Sequence, residues 1–342
     1  MSYTNILIVK LSAIGDVIHA LPVAPALKKC FPQARITWVV EKQAYDILTN
    51  NPYIDEIIIF DKANFKTLGG LLKHAPEFAA DLKARRFDLA LDLQGLFKSS
   101  VIAFLSGAST RLVYENAREG SRLLSRRVVG SHANGHVVER YLDVVRGLGC
   151  QVDQPVFPVV ITDDEVKRTR SVMAHAGLSA GTPYVVMALG ANWPNKIWPA
   201  EKFAKLCDRL YTAEKFTPVV IGGPGDGPLL ERLLAQVQIP PISLVGKTSL
   251  KQLAYVIKNA TAFVGGDTGP MHLSVALGIP TIALMGPTDQ IRNGPYGSIH
   301  RVVLADRPCI GCWQRKCSNG WDCLESINVE TVYSQLLEIT QL

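Results

Sequence analysis

The sequence predicts an α/β protein made of two Rossmann-like halves, each a parallel sheet wrapped by helices. Three observations carry that expectation. Short β-branched runs alternate with helical segments from end to end, the pattern of strand–helix–strand units. At 342 residues the chain is too long for one ordinary core. Near its middle, a weakly periodic stretch with two prolines, Gln151 to Pro158, separates two alternating series and reads as a linker.

The expected domains are therefore 1–157 and 158–342. In the first, strands are expected at Asn5–Lys10, Arg35–Val40, Glu56–Phe60, Asp88–Leu93 and Arg111–Tyr114. A helix is expected over Val17–Phe31, where apolar residues recur at helical spacing behind Gly15-Asp16. In the second, strands are expected at Tyr184–Leu189, Pro218–Gly222, Ala262–Gly265, Thr281–Leu284 and Arg301–Leu304. Helices are expected at Asp163–Ala176, Ala200–Ala213, Gly227–Gln236 and Ser249–Lys258. The amphipathic segment Val329–Leu342 is expected to pack back toward the N-terminal domain. Open α/β sheets bind ligands beyond the carboxyl ends of their strands, so both halves are expected to face one central cleft.

Composition narrows the class of function. A chain with 48% hydrophobic and 19% charged residues folds into a globule rather than staying disordered. No apolar run reaches bilayer-spanning length, and Met1–Asn5 leads directly into a strand without a signal-peptide pattern, so a cytoplasmic location is expected. The net charge of +6, with no dominating Lys/Arg block, suits an anionic substrate or membrane surface better than a nucleic acid. No strongly basic amphipathic helix stands out, so membrane contact is expected to be transient. Cys30, Cys150 and Cys207 sit singly in apolar surroundings and read as buried thiols. Cys309, Cys312, Cys317 and Cys323 follow a C-x2-C-x4-C-x5-C spacing that could ligate zinc, but the second pair lacks a compact knuckle. Reduced cysteines in a packed loop are the expectation there, with no metal assigned and disulfides disfavoured in the cytosol.

The most informative stretch is Val264-Gly265-Gly266-Asp267-Thr268-Gly269-Pro270-Met271-His272-Leu273. A strand enters it and a helix leaves it. Glycines let backbone amides approach a ligand, and Pro270 suits the first helical turn. The amides and dipole of that helix start favour a phosphate, and Asp267, Thr268 and His272 add polar groups to the same rim. A second turn, Gly286-Pro287-Thr288-Asp289, follows the next strand, and together the two read as a diphosphate site. Lys196, in the loop Gly190–Pro199, is a point charge able to meet a phosphate, although alone it would read as a surface lysine. Trp193 and Trp198 of that loop read as packing residues. Asp226, in Gly222-Gly223-Pro224-Gly225-Asp226, could accept ribose hydroxyls or simply serve a turn. The first strand ends in Lys10-Leu11-Ser12-Ala13-Ile14-Gly15-Asp16-Val17-Ile18-His19, which is not G-x-G-x-x-G and so disfavours a dinucleotide dehydrogenase. There Asp16 is either a helix cap or an acid facing the cleft. Lys98, Arg118, His136 and Arg140 form a cationic set suited to an anionic acceptor, although Glu139 and Arg140 alone would read as a solvated helix face.

Together these segments resemble glycosyltransferase family 9, the ADP-heptose:lipopolysaccharide heptosyltransferases, from about Ile6 to the C-terminal helix. The anchors are the Lys10–His19 run, Gln94-Gly95-Leu96-Phe97-Lys98-Ser99, Lys196-Ile197-Trp198-Pro199 and the D-T-G-x-x-H run from Asp267 to His272. Ala117-Arg118-Glu119-Gly120 and His136-Val137-Val138-Glu139-Arg140 look most like heptosyltransferase I, the Cys-rich tail more like heptosyltransferase II. The resemblance implies a GT-B fold, with acceptor held by the N-terminal domain and nucleotide sugar by the C-terminal one. It implies an inverting, metal-independent transfer of heptose from ADP-heptose, a substrate and not a cofactor, to a Kdo–lipid A type acceptor. Heptosylated core as acceptor, or epimerisation of a nucleotide sugar, are the alternatives. Asp16 matches the proposed general base. Lys196 and the amides around Thr268, Gly269 and Met271 match the groups that stabilise the departing diphosphate. Asp267 and His272 match positions near sugar and diphosphate, and Asn192 stands where a small hydroxyl residue is frequent. Arg118, His136 and Arg140 match acceptor positions, with Lys62 and Lys66 aligned more loosely. The work would take place at the inner face of the cytoplasmic membrane.

Overall fold

The computed structural model describes residues 2–214 and 216–340, with the side chains of 213 and 214 left aside. The chain divides into two compact units, Met1–Val160 and Ile161–Leu342. Each is built on a 6-stranded sheet in which every neighbouring pair is parallel.

The first unit contains β1 (Asn5–Val9), α1 (Ile14–Ala20), α2 (Val23–Cys30), β2 (Arg35–Val40), α3 (Lys42–Leu48), β3 (Glu56–Ile59), α4 (Leu68–Ala84), β4 (Leu89–Asp92), α5 (Phe97–Leu105), β5 (Thr110–Tyr114), β6 (Arg126–Val128) and α6 (Val137–Arg146). Its strands lie in the order β3-β2-β1-β4-β5-β6. Leu7 of β1 sits between Thr37 and Ala90 of its neighbours, and Ile6 to Val9 are fully buried. Covered on both faces by helices, such central strands must be apolar throughout, which is why they show as continuous hydrophobic runs.

The second unit contains α7 (Asp163–His175), β7 (Tyr184–Ala188), α8 (Ala200–Arg209), β8 (Thr217–Ile221), α9 (Gly227–Leu234), β9 (Ile242–Ser243), α10 (Leu250–Lys258), β10 (Ala262–Gly266), α11 (Gly269–Ala276), β11 (Thr281–Met285), α12 (Gln290–Asn293), β12 (Arg301–Leu304) and α13 (Val329–Thr340). Its order, β12-β11-β10-β7-β8-β9, is the same topology with strands renumbered. In both units the strand order reverses beside the first strand, between β1 and β4 and between β7 and β10. Doubly wound sheets bind their ligands at that switch point.

Several expectations are corrected. The single helix expected over Val17–Phe31 is two helices, α1 and α2, because Pro22 has no N–H to continue the first and instead caps the second. β6 and β9 are short edge strands whose sequences, Arg-Arg-Val and Ile-Ser, carry no strand signal. Cys30 and Cys150 are not separate thiols but a disulfide, since α2 packs on α6 and brings their Cα atoms to 5.6 Å across 120 residues of sequence. Cys207 is a buried thiol, and burial pushes its pKa up. The expected linker lies along α2 and α6, with an ion pair between Lys29 and Asp153, and the amide of Asn51 donates to Pro158. The division therefore falls after Val160. The apolar face of α13 is buried in its own unit. Val332, Tyr333 and Leu336 join the core formed with α8, β11 and β12.

Candidate functional site

At the switch point of the second sheet, β7 and β10 send their following loops side by side. Asp267, just past β10, is 5% exposed, and its carboxylate organises the surroundings. Lys196 Nζ donates to Asp267 Oδ2 at 2.6 Å and reaches the Asp267 carbonyl at 3.3 Å. Thr288 Oγ1, from the turn after β11, donates to the same Oδ2 at 2.6 Å. His272 Nε2 lies 2.9 Å from Oδ1. Burial alone would raise the Asp267 pKa, but hydrogen bonds and charge from His272 and Lys196 outweigh it and hold the carboxyl well below the usual range. Gly266 permits this proximity: a Cβ there would meet the Lys196 carbonyl at 2.3 Å.

Thr268 caps α11, and its hydroxyl donates to the Gly266 carbonyl at 3.2 Å. The first intrahelical bond runs from His272 N–H to Thr268 O, so the amides of Gly269 and Met271 precede it. Met271 is fully buried as a whole residue at the start of the helix. Lys196 Nζ also lies 4.5 Å from the Trp193 ring, with the Arg315 guanidinium 5.5 Å from that ring. The site thus offers an ammonium fixed by a buried carboxylate beside a helix start, an arrangement that receives anions. Asn192 is exposed on the same loop as Lys196. Asp226 sits after β8, where its Oδ2 accepts from Gly223 N–H at 2.7 Å and its carboxylate fills the space beside Gly190.

At the first unit's switch point the groups that join the two loops are neutral. Gln94, after β4, accepts from the amides of Leu11 and Ser12, at 3.1 and 3.2 Å, with its Oε1. Buried Asp92 holds that turn by accepting from Gln94 N–H and Gly95 N–H, and burial raises its pKa although these bonds oppose the rise. Asp16 is half-buried at the start of α1, its Oδ2 accepting from Ala13 N–H at 3.2 Å. His136 caps α6, accepting from Val138 N–H, and its ring stands edge-on to His19 at 5.4 Å.

Two members of the cationic set are differently placed from the sequence expectation. Arg140 is 8% exposed, not solvated: its Nε donates to Gly135 O and its Nη1 to Asn116 Oδ1. Lys98 is ion-paired with Glu41 at 2.9 Å, so its charge is already answered. Arg118 is exposed, with its backbone N–H on Gly95 O, and Lys62 and Lys66 are exposed around the turn after β3. Of the tail cysteines, Cys312 is exposed, Cys309 and Cys317 are half-buried, and Cys323 is buried against Gly286.

Residues 76–321 match the profile of Glycosyltransferase family 9 (heptosyltransferase). The chain belongs to glycosyltransferase family 9. It is 30% identical over 325 residues to lipopolysaccharide heptosyltransferase 1 of Pseudomonas aeruginosa, covering 92% of this chain and 87% of that one. Among solved structures it is similar to a family 9 glycosyltransferase from Veillonella parvula, with a TM-score of 0.86, 24% identity and coverage of 99% and 98% of the two chains. It is also similar to E. coli ADP-heptose lps heptosyltransferase II, with a TM-score of 0.79, 22% identity and 99% of each chain covered. The two-sheet architecture is therefore that of the GT-B heptosyltransferases.

Three partners in this glycosyltransferase escaped the sequence. Thr288 belongs to a turn already suspected, but nothing in sequence ties it to Asp267. Gln94 stands in a recognised run, yet its bond to the β1 loop depends on strand order. Trp193, expected to pack, is instead the platform for Lys196 and Arg315, and Arg315 arrives from the Cys-rich loop.

Proposed function

We propose that the chain transfers heptose from ADP-heptose to a Kdo–lipid A type acceptor, in the inner core of lipopolysaccharide, with inversion and without a metal. The observation that carries this reading is the Lys196–Asp267–His272–Thr288 constellation beside the amides of Gly269 and Met271. Charge grows on the diphosphate as the glycosidic bond breaks. Lys196 and the start of α11 meet it without having to reorganise, because Asp267 already fixes the ammonium. Asn192 and Asp226 complete the donor site from neighbouring loops. Asp16 takes the proton of the acceptor hydroxyl as that oxygen attacks the anomeric carbon. Arg118, His136, Lys62 and Lys66 hold the anionic acceptor, while Arg140 and Lys98 set the loops that carry the site. The enzyme works at the inner face of the cytoplasmic membrane.

The test is ADP release from purified protein given ADP-heptose and either Kdo2-lipid A or its singly heptosylated form. Release that depends on Kdo2-lipid A and survives EDTA is expected. Release only with the heptosylated acceptor would assign the second transfer instead. No release with either would overturn the reading.

A further inference from the structure

Lys196 shares its charge with a buried carboxylate, since Asp267 Oδ2 lies 2.6 Å from its Nζ. Together the pair comes close to neutral, whereas a diphosphate brings more than one negative charge. One ammonium already answered by Asp267 is a thin complement for it, and a further cation is expected at the site. Arg315 stands there. Its guanidinium lies 5.5 Å from the Trp193 ring, and Lys196 Nζ lies 4.5 Å from the same ring. The two charges are thus no further apart than those distances taken together, a gap that one diphosphate can bridge.

Arg315 comes from a loop pinned to the turns that carry the other donor-side groups. Gly311 N–H donates to Gly286 O at 2.9 Å and Trp313 N–H to Pro287 O at 2.7 Å, on the turn that also supplies Thr288. Buried Asn195, next to Lys196 in the chain, donates from its side-chain amide to Gln314 O at 2.5 Å. These bonds fix residues 311–314 to both turns, and Arg315 follows directly. Its own charge is unanswered: the side chain is exposed and forms no ion pair among the described residues. Of the acids on these turns, Asp267 is taken up by Lys196, His272 and Thr288, and Asp289 accepts from Ile291 N–H at 2.8 Å. An exposed arginine by itself reads as a solvated charge, but a shared ring and a pinned loop set this one apart. Two cations gathered on one ring repel each other, and an anion between them turns that repulsion into attraction.

We propose that Arg315 binds the diphosphate of the nucleotide sugar, beside Lys196 and the start of α11. It deepens the function proposed above, resting on it for the nucleotide. The planar fork of a guanidinium suits two phosphate oxygens at once, where Lys196 offers a point charge. The Cys-rich loop is thereby part of the donor site, holding Arg315 over Trp193.

The test is ADP affinity by isothermal titration for wild type, Arg315→Met and Arg315→Lys, with adenosine measured by its competition against ADP. Arg315→Met is expected to weaken ADP about tenfold and to leave adenosine, which has no phosphate, unchanged. Arg315→Lys should recover part of the loss, because it keeps the charge without the fork. The side chain is exposed, so both variants should melt with wild type. ADP affinity unmoved in Arg315→Met would overturn the proposal. Equal weakening of ADP and adenosine would overturn it too, since that marks a displaced loop and not a lost phosphate contact. Weaker ADP binding in Arg315→Met, with no ADP release by wild type on either lipid A acceptor, would sink the reaction proposed above and keep the Arg315 contact. Release on Kdo2-lipid A with ADP affinity unmoved in the variant would do the reverse.

Discussion

The two units share one strand order yet furnish the same topological point in opposite ways. In the second, the loops after β7 and β10 are joined by a buried ion pair, Lys196 to Asp267, with His272 and Thr288 closing the carboxylate. In the first, the loops after β1 and β4 are joined by neutral bonds from two amides to Gln94. The difference follows from what each is proposed to hold. A diphosphate that gains charge in the transition state needs cations fixed in advance. An acceptor with spread-out anionic groups, embedded in lipid, needs an open and accessible face. The second site is thus preorganised by burial, and the first by backbone geometry.

Changes at the two switch points should therefore fail differently. The largest effect is expected for Asp16→Ala, which should lower turnover by roughly 10³-fold, in the range of a lost general base, with a stability loss of no more than about 1 kcal/mol from the bond to Ala13 N–H. A rate within a few-fold of wild type would remove Asp16 from the chemistry. Lys196→Met should cost about 10²-fold in turnover and also destabilise the second unit by roughly 3 kcal/mol, because it leaves a buried carboxylate with one cation fewer. Urea unfolding of that variant beside Asp16→Ala checks the contrast: equal stability in both would break it.

A smaller effect is expected of Thr288→Val, which removes one of the bonds to Asp267 Oδ2 and should cost about 1–2 kcal/mol in stability, with a modest loss of rate. An activity loss as deep as that of Lys196→Met would give Thr288 a direct role on substrate. A further effect, on stability alone, concerns pH. Burial lowers the pKa of His300, ahead of β12, from 6.5 to about 4. The unfolded chain therefore takes up this proton before the folded one does, and stability is lost as pH falls from 6.5 toward 4. Between pH 6.5 and 5 the loss from this residue should be about 2 kcal/mol, and His300→Gln should abolish it. Urea midpoints at pH 7 and 5 for both proteins measure it, and parallel losses would exclude His300 as the cause.

Much of the fold was legible because central parallel strands must be apolar on both faces, so β1, β2, β7, β10 and β11 announce themselves as runs. The edge strands β6 and β9 do not, being short and held by a single neighbour. The donor-side constellation was legible in part: Asp267, Thr268, Gly269 and His272 lie within one motif, while Lys196 and Thr288 are remote in sequence and meet only through strand order. Pairing between distant residues was least legible. The Cys30–Cys150 disulfide, the Lys98–Glu41 ion pair and the buried Arg140 all depend on which helices pack together, which local patterning does not encode.

The division of labour between the units is tested most directly by ADP affinity, measured by isothermal titration on Asp16→Ala and Lys196→Ala side by side. The proposed roles predict an unchanged dissociation constant for Asp16→Ala and a weakening of about tenfold or more for Lys196→Ala. Equal weakening in both, or none in Lys196→Ala, would contradict a donor site built on the second unit alone.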